Sequence, residues 1–337
     1  MTRGAKPPPP RRPDLRGRSR PGLRSHRGAA LLLALLLVAL VATLASGMVW
    51  QQWRALQVES AERARSQSQW ILHGAIDWSR LIMREDGRAG GAIDHSGEPW
   101  ATPLAEARLS SFLAAGRESS DEAAAEAFLS GAITDAQSRY NLRNLLDERG
   151  RPIDGERAVL ARLCAAAGLP SDTAARLAEG LAAAWSPGAA SDEAPGGAPL
   201  PVQRFEHLAW LGIDVATLAA LRPLVDVLPM RTQLNVNTTL LPTLAAVLGV
   251  DAGTAQRLVT RRQAAPFDHL DRVRTLLPEG LAFEPSRLSV RSSFFEVQGR
   301  VRLDDRVLEE RALLQRRGTN EVVVVRRARE SVALATP

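Results

Sequence analysis

Between Arg27 and Arg54 the chain carries no charge. The run opens Gly28-Ala29-Ala30-Leu31-Leu32-Leu33 and closes on Trp50 and Trp53. A helix rises about 1.5 Å per residue, so this stretch is long enough to cross the roughly 30 Å hydrocarbon core of a bilayer. It divides the chain into a short basic tail and a polar body, and any fold proposed for the body must accept a membrane helix at its start.

Charge gives the orientation. The net charge of +6 is concentrated before the apolar run: the segment to Gly28 holds nine Lys and Arg against Asp14 alone, and the remainder is slightly acidic. Basic residues beside a spanning helix stay cytoplasmic. Residues from about 51 onward are therefore expected outside, in the periplasm of a two-membrane bacterium. The basic excess is a topology signal rather than a nucleic-acid footprint. Residues 1–28, with Pro7 to Pro10 and many Arg, cannot bury a core and are expected to be disordered. The single cysteine, Cys164, allows no internal disulfide and no paired-Cys metal site, and its Ala- and Leu-rich surroundings fit a buried small hydrophobe.

The helix is not expected to stop at the membrane. From Gln51 to Glu85 there is no Pro and one Gly, Gly74. Trp70, Ile71, Gly74, Trp78, Leu81 and Ile82 share one helical face, read here as core, with an exposed partner face as the alternative. One continuous helix is expected from 29 to about 85, with two separate helices as the alternative. Asp94 to Ala101 reads as a turn, although His95 with Asp94 and Glu98 would permit acid–base chemistry. Phe128 to Asp135 reads as a strand.

A helical block follows. Residues 154–184 are helical, with Ser171 as an N-cap. Trp185 to Pro201 is a Pro/Gly/Ala/Ser loop, and short helices run to about Pro229. A second helical unit begins at Leu234-Asn235-Val236-Asn237-Thr238, where Thr239 or Asn237 can cap the helix through Val247. Thr254 to Arg262 forms the next helix, giving a helix-hairpin-helix pattern. The period then changes to two. Phe295, Val297, Gly299, Val301 and Leu303 alternate with polar residues as a strand. Val307 to Leu314 and Glu321 to Arg326 return as two more, and a tail from Glu330 is expected to fray. A helical block between early and late strands implies an insertion.

In this order the pieces resemble the K-type minor pseudopilins of type II secretion systems. Arg27-Gly28-Ala29-Ala30-Leu31-Leu32 resembles the prepilin processing site, with a basic leader, a Gly and an apolar helix that begins without a spacer. Asp94 through Glu98 to Trp100-Ala101, Asp135 to Asn144, Leu234 to Thr238 and Ser293-Phe294-Phe295 resemble further segments of that family. The resemblance implies an α+β fold. A pilin-like long N-terminal helix, transmembrane in its first half, packs on a small antiparallel sheet that carries a large inserted all-α lobe. The implied divisions are a leader (1–28), a transmembrane helix (29–53), a first pilin-like part (54–135), a helical lobe (136–285; SAM-like to about 230, then helix-hairpin-helix-like), C-terminal strands (286–327) and a tail (328–337).

The resemblance also implies a function. Prepilin peptidase would cut between Gly28 and Ala29 on the cytoplasmic side and leave the helix on the mature chain. Most pilin-like subunits carry Glu at the fifth mature residue, and here Leu33 stands there. A carboxylate in lipid needs a partner, and the K-type subunit is the one that lacks it. This implies a non-enzymatic subunit in the bacterial inner membrane, with a cytoplasmic N-terminus and a periplasmic body. It would sit at the pseudopilus tip, beside I- and J-type minor pseudopilins and the major pseudopilin, during export of folded proteins. Family members often hold calcium in a loop after a Trp. Here Trp185 is followed by Ser186-Pro187-Gly188, with Asp192 and Glu193 as weak calcium candidates against a need for about six to eight oxygen ligands.

Three other readings compete. A plain anchor or a secretory signal, cut near Ala45 and Ser46, would explain the apolar run alone. A membrane-tethered helix-hairpin-helix DNA-binding protein would use the hairpin at Gly249, with Arg261 and Arg262. That hairpin places Asp251 against phosphate and lacks a second Gly, so no nucleic acid is expected. An enzyme is disfavoured, because the five His are scattered and no nucleophile or phosphate-loop pattern is present.

Overall fold

The computed structural model describes residues 26–89, 93–109, 127–185, 200–303 and 306–333. One helix, α1 (His26–Arg88), runs unbroken through the first of these segments. Contacts divide the chain into two units, Met1–Arg63 and Ala64–Pro337.

In the first unit α1 is long and apolar enough to cross a membrane. Its Leu and Val side chains from Leu31 to Val49 are exposed, as lipid-facing residues must be. The hydroxyls within it are satisfied by the helix itself. Thr43 Oγ1 donates to the Leu40 carbonyl and Ser46 Oγ to the Ala42 carbonyl, both at 2.8 Å. In hydrocarbon, where water cannot serve, such back-bonding removes the cost of a bare hydroxyl.

In the second unit the remainder of α1 packs on a five-stranded antiparallel sheet. Its strands are β1 (Leu104–Arg108), β2 (Ala127–Asp135), β7 (Phe294–Leu303), β8 (Arg306–Arg317) and β9 (Glu321–Ala333), in spatial order β1-β2-β7-β8-β9. The helix buries Ser68, Leu72, Ile76, Ser79 and Met83, a stripe at steps of four and three. Ile76 and Met83 join Trp100, Ile133, Phe295, Val297, Ala312, Leu314 and Val322 in one core. This corrects the expected face in part: Ile82 packs against this core, but the tryptophans do not. Trp70 and Trp78 are 75% and 61% exposed, and Leu81 is exposed too. Their stripe has the same period as the true one but starts two residues earlier, about 200° round the helix. The two tryptophans stand outside while small serines occupy two buried positions.

Glycines let the layers approach. Gly131 and Gly299 pair across β2 and β7. A Cβ at Gly131 would lie 2.7 Å from the Gln298 carbonyl oxygen, and one at Gly299 would lie 3.1 Å from Leu72 Cδ2. The three C-terminal strands are present with the expected alternation in β7, but β8 and β9 are longer than expected. The ladder continues to Arg306↔Ala333, so residues 328–333 belong to the sheet instead of a frayed tail. Residues 334–337 lie outside the described residues. The short strand β1 had no clear period in the sequence.

Strands β2 and β7 are hydrogen-bonded neighbours from Ala127↔Leu303 to Asp135↔Phe295. Everything from 136 to 293 therefore enters and leaves at one end of that strand pair. This segment holds α2 (Asp154–Ala166), α3 (Thr173–Ala184), α4 (Val215–Leu221), α5 (Leu241–Leu248), α6 (Ala252–Ala264) and α7 (Leu270–Arg274). It also holds two short parallel pairs, β3 (Tyr140–Asn141) with β4 (Val225–Asp226) and β5 (Leu234–Asn235) with β6 (Leu288–Ser289). Its core includes Leu142, Leu160, Leu163, Leu177, Leu208, Leu244 and Leu258. Cys164 is buried there, and burial pushes its thiol up to about 11, as a small hydrophobe requires. Two expected caps differ. Asp172 instead of Ser171 precedes α3, and Leu240 instead of Thr239 or Asn237 precedes α5, whose first turn holds Pro242.

Gly131→Ala should destabilise the body by about 1–3 kcal/mol, because the added methyl meets backbone. Gly74→Ala, where a Cβ meets open space on a helix, should stabilise it by about 0.5–1 kcal/mol. Denaturant unfolding of both variants measures the contrast, and equal effects would contradict the close approach at Gly131.

Candidate functional site

The segments that carried the resemblance converge where the lobe joins the sheet. Asp135 ends β2 and is buried. Its Oδ1 accepts from the Gln137 amide at 2.7 Å. Its Oδ2 accepts from Ser292 Oγ and Thr238 Oγ1, both at 2.6 Å, and from Asn235 Nδ2 at 2.9 Å. Asn235 Nδ2 also donates to the Asp94 carbonyl at 3.0 Å. The Asp94 carboxylate accepts from the Ser292 amide at 2.7 Å and from Arg316 Nη2 at 2.7 Å. Arg316 reaches on to Asp86 near the end of α1 and stacks over Phe295, 5.0 Å from its ring centre. Gln137 Oε1 accepts from the Ser293 and Phe294 amides, and its Nε2 donates to the Gln233 carbonyl. One polar network thus ties α1, the Asp94 loop, β2, the lobe and β8.

Burial sets the electrostatics. It pushes the Asp135 carboxyl up to about 6, although the Ser292, Thr238 and Gln137 hydrogen bonds pull the other way and Asp94 adds to the rise. Burial also raises Asp86, against the pull of Arg316. A second ionic group lies beyond it. Arg139 Nη2 pairs with Asp226 at 2.7 Å and Glu296 at 2.6 Å. In the lobe, Glu156 accepts from Tyr140 Oη at 2.8 Å and from Arg287 Nε at 2.6 Å.

The sequence-derived candidates fall as follows. Gly28, Ala29 and Leu33 lie on α1, and among the described residues no neighbouring side chain or loop comes within 4 Å of a Cβ at Gly28. Asp192 and Glu193 lie outside the described residues. Among the described residues no group of three or more His, Cys, Asp or Glu is placed to hold a metal ion. The Asp94 loop is a packed turn in which Glu98 accepts from the His95 amide and Trp100 Nε1. In the hairpin between α5 and α6, Gly249 takes φ +70° and Asp251 caps α6 through the Thr254 amide at 2.9 Å. A carboxylate thus occupies the helix N-terminus that a phosphate would need. Arg262 is bound to the Val236 and Thr239 carbonyls and Arg261 to that of Ala265.

Sequence reasoning singled out Asp94, Asp135 and Asn235 separately but missed Ser292, Arg316 and Asp86. Arg316 meets Asp94 across 222 positions, and no spacing rule reaches that far.

The remaining feature is a surface. Trp70, Gly74, Trp78 and Leu81 form an exposed stripe on the sheet-packed part of α1, with a glycine between two indoles. A helix whose second half covers an antiparallel sheet, with a helical lobe inserted between two neighbouring strands, defines a pilin-like subunit with an appended lobe.

No family model matches the chain. It is 30% identical over 307 residues to Type II secretion system protein K of Pseudomonas aeruginosa, covering 84% of this chain and 86% of that protein. It is 26% identical over 329 residues to the protein of the same name from Pectobacterium carotovorum subsp. carotovorum, covering 89% and 96%. Its fold matches a chain in the crystal structure of the GspK-GspI-GspJ complex from the enterotoxigenic Escherichia coli Type 2 Secretion System. There the TM-score is 0.60 and the identity 20%, over 80% of this chain and 98% of that one. The chain belongs to the type II secretion system protein K family, the K-type minor pseudopilins.

The raised Asp135 carboxyl gives a pH signature. Between its ordinary value of 3.8 and about 6 the native state keeps a proton that the unfolded state has lost. This contribution is therefore complete below 3.8 and disappears as pH rises through 6. Compared with Asp135→Asn, the native protein should gain about 1 kcal/mol when pH falls from 7 to 5. Denaturant unfolding of both at the two pH values reads it, and parallel curves would contradict the assignment.

Proposed function

We propose that this chain is a non-enzymatic subunit at the tip of the pseudopilus, helping to initiate or cap the filament during export of folded proteins. Prepilin peptidase cleaves it between Gly28 and Ala29. The retained α1 holds it in the inner membrane, with the leader cytoplasmic and the body periplasmic. Its partners are I- and J-type minor pseudopilins and the major pseudopilin. The related solved structure is of a complex with GspI and GspJ, which favours this choice.

The observation that carries the reading is the exposed stripe Trp70, Gly74, Trp78 and Leu81. Two indoles flanking a glycine leave a shallow seat for a neighbouring helix, and burying them would contribute about 1.5–3 kcal/mol each. Leu33 supports the tip position, because an apolar residue there needs no amine from a neighbouring subunit. The inserted lobe supports it as well, because a filament end leaves room for bulk that a central position lacks.

Co-expression with the I- and J-type subunits in membranes, followed by affinity purification, tests the assembly. The native chain should retain both subunits. Trp70→Asp with Trp78→Asp should lose them while keeping the native melting temperature, since neither indole is in the core. Undiminished co-purification of the double variant would remove the stripe from the interface.

A further inference from the structure

A second site lies in the body, in a cleft of about 370 Å³ between the lobe and strands β7 to β9. It is lined by six arginines and three carboxylates. Most of this charge is accounted for locally. Asp226 and Glu296 both face Arg139, which lies beside the cleft. Glu206 takes Arg222 at 2.9 Å, and Glu309 takes Arg311 at 3.1 Å. The buried Glu310 takes Arg329 at 2.8 Å and, at 3.8 Å, Arg327.

Two guanidinium groups are left over, Arg204 and Arg326. Arg326 Nη1 donates to the carbonyls of Gln203 at 2.7 Å and Val227 at 3.5 Å. Arg204 Nε donates to His207 Nε2 at 2.7 Å, an acceptor that must be unprotonated and so brings no negative charge. Among the described residues neither arginine forms an ion pair. Burial pushes the Arg326 pKa down; Asp226, Glu206 and Glu296 oppose this at longer range and Arg204 adds to it. Two neighbouring, half-buried cations without a directly paired carboxylate carry a standing cost that an anion entering the cleft would relieve.

We propose that this cleft is a docking site for an acidic peptide segment of a partner protein, whose Asp or Glu carboxylate enters between Arg204 and Arg326. The planar forks of arginine match a carboxylate in bidentate geometry. The cleft is several times the volume of a phosphate ion, so a free ion would leave most of it filled with water. Glu206, Asp226 and Glu296 in the lining would also repel a multiply charged ion more than a single carboxylate on a neutral backbone. One wall of the cleft is the sheet face, where Glu296 of β7, Leu313 of β8 and Arg326 of β9 lie side by side.

The test is fluorescence anisotropy with the full chain in mild detergent. The probes are a labelled glycine-rich peptide carrying one Glu and, as competitor, inorganic phosphate. The native chain should bind the peptide. Arg204→Gln and Arg326→Gln should each weaken binding by at least about tenfold, while Arg149→Gln, at an exposed position in the lobe, leaves it unchanged. Phosphate should not displace the peptide at matched ionic strength. Binding that neither cleft substitution alters would belong to the basic leader and overturn the proposal. So would displacement by phosphate, or no binding to the native chain. Arg326 also ties β9 to the lobe, so if Arg326→Gln unfolds the protein, Arg204→Gln decides alone.

Discussion

Asp135 is a carboxylate buried where the chain leaves the sheet, and it is satisfied by four donors drawn from separate parts of the chain. Three of them, on Asn235, Thr238 and Ser292, lie in the second half of the insertion. The lobe therefore cannot swing on the sheet without stripping hydrogen bonds from a buried charge, which costs more than any single contact there contributes. Ser292 closes the arrangement. Its hydroxyl serves Asp135 and its amide serves Asp94, so the point of return is held beside the point of departure. Arg316 carries the same network to Asp86 and so to α1. Lobe, sheet and helix are fixed at one place by polar groups rather than by a shared apolar core. The small cluster of Ala136, Leu228, Phe294 and Leu313 adds only a modest seal beside it.

Helix α1 meets two solvents along its length. Within the apolar stretch its hydroxyls turn back onto their own backbone, as hydrocarbon demands. In the body, Ser68 and Ser79 do the same toward Ala64 and Ala75, but there the gain is closeness. Small side chains let Leu72 rest over Gly299 while Ile76 and Met83 fill the core. The two tryptophans of that part of the helix, Trp70 and Trp78, stand on the other side. An exposed tryptophan pair on a rigid helix is an expense for a protein that works alone and an asset for one that works in an assembly.

Much of this was legible in the sequence. The apolar run, the period-two strand from Phe295 to Leu303 and the break between strands and helices specify a long helix, an antiparallel sheet and an inserted lobe, because each rests on local periodicity. The core face of α1 was not legible. Trp70 and Trp78 carry the period as strongly as Leu72 and Ile76, and which face is covered depends on a sheet contributed from the far end of the chain. Strand β9 was underestimated past residue 327, because the charged pair Arg329-Glu330 looks like a tail until the ladder with β8 places Arg329 opposite Glu310. The polar junction was half legible. Asp94, Asp135 and Asn235 stood out as residues suited to turns and caps, but their meeting depends on the topology of the whole body.

The central claim is that α1 stays on the mature protein as one helix, serving as anchor in its first part and as assembly surface in its second. The most direct measurement is the N-terminal sequence and intact mass of the protein, produced in cells with and without prepilin peptidase. A mature chain beginning at Ala29, and appearing only with the peptidase, is the predicted result. A chain still beginning at Met1 in the presence of the peptidase, or one cut near Ala45 with the apolar run removed, would contradict it.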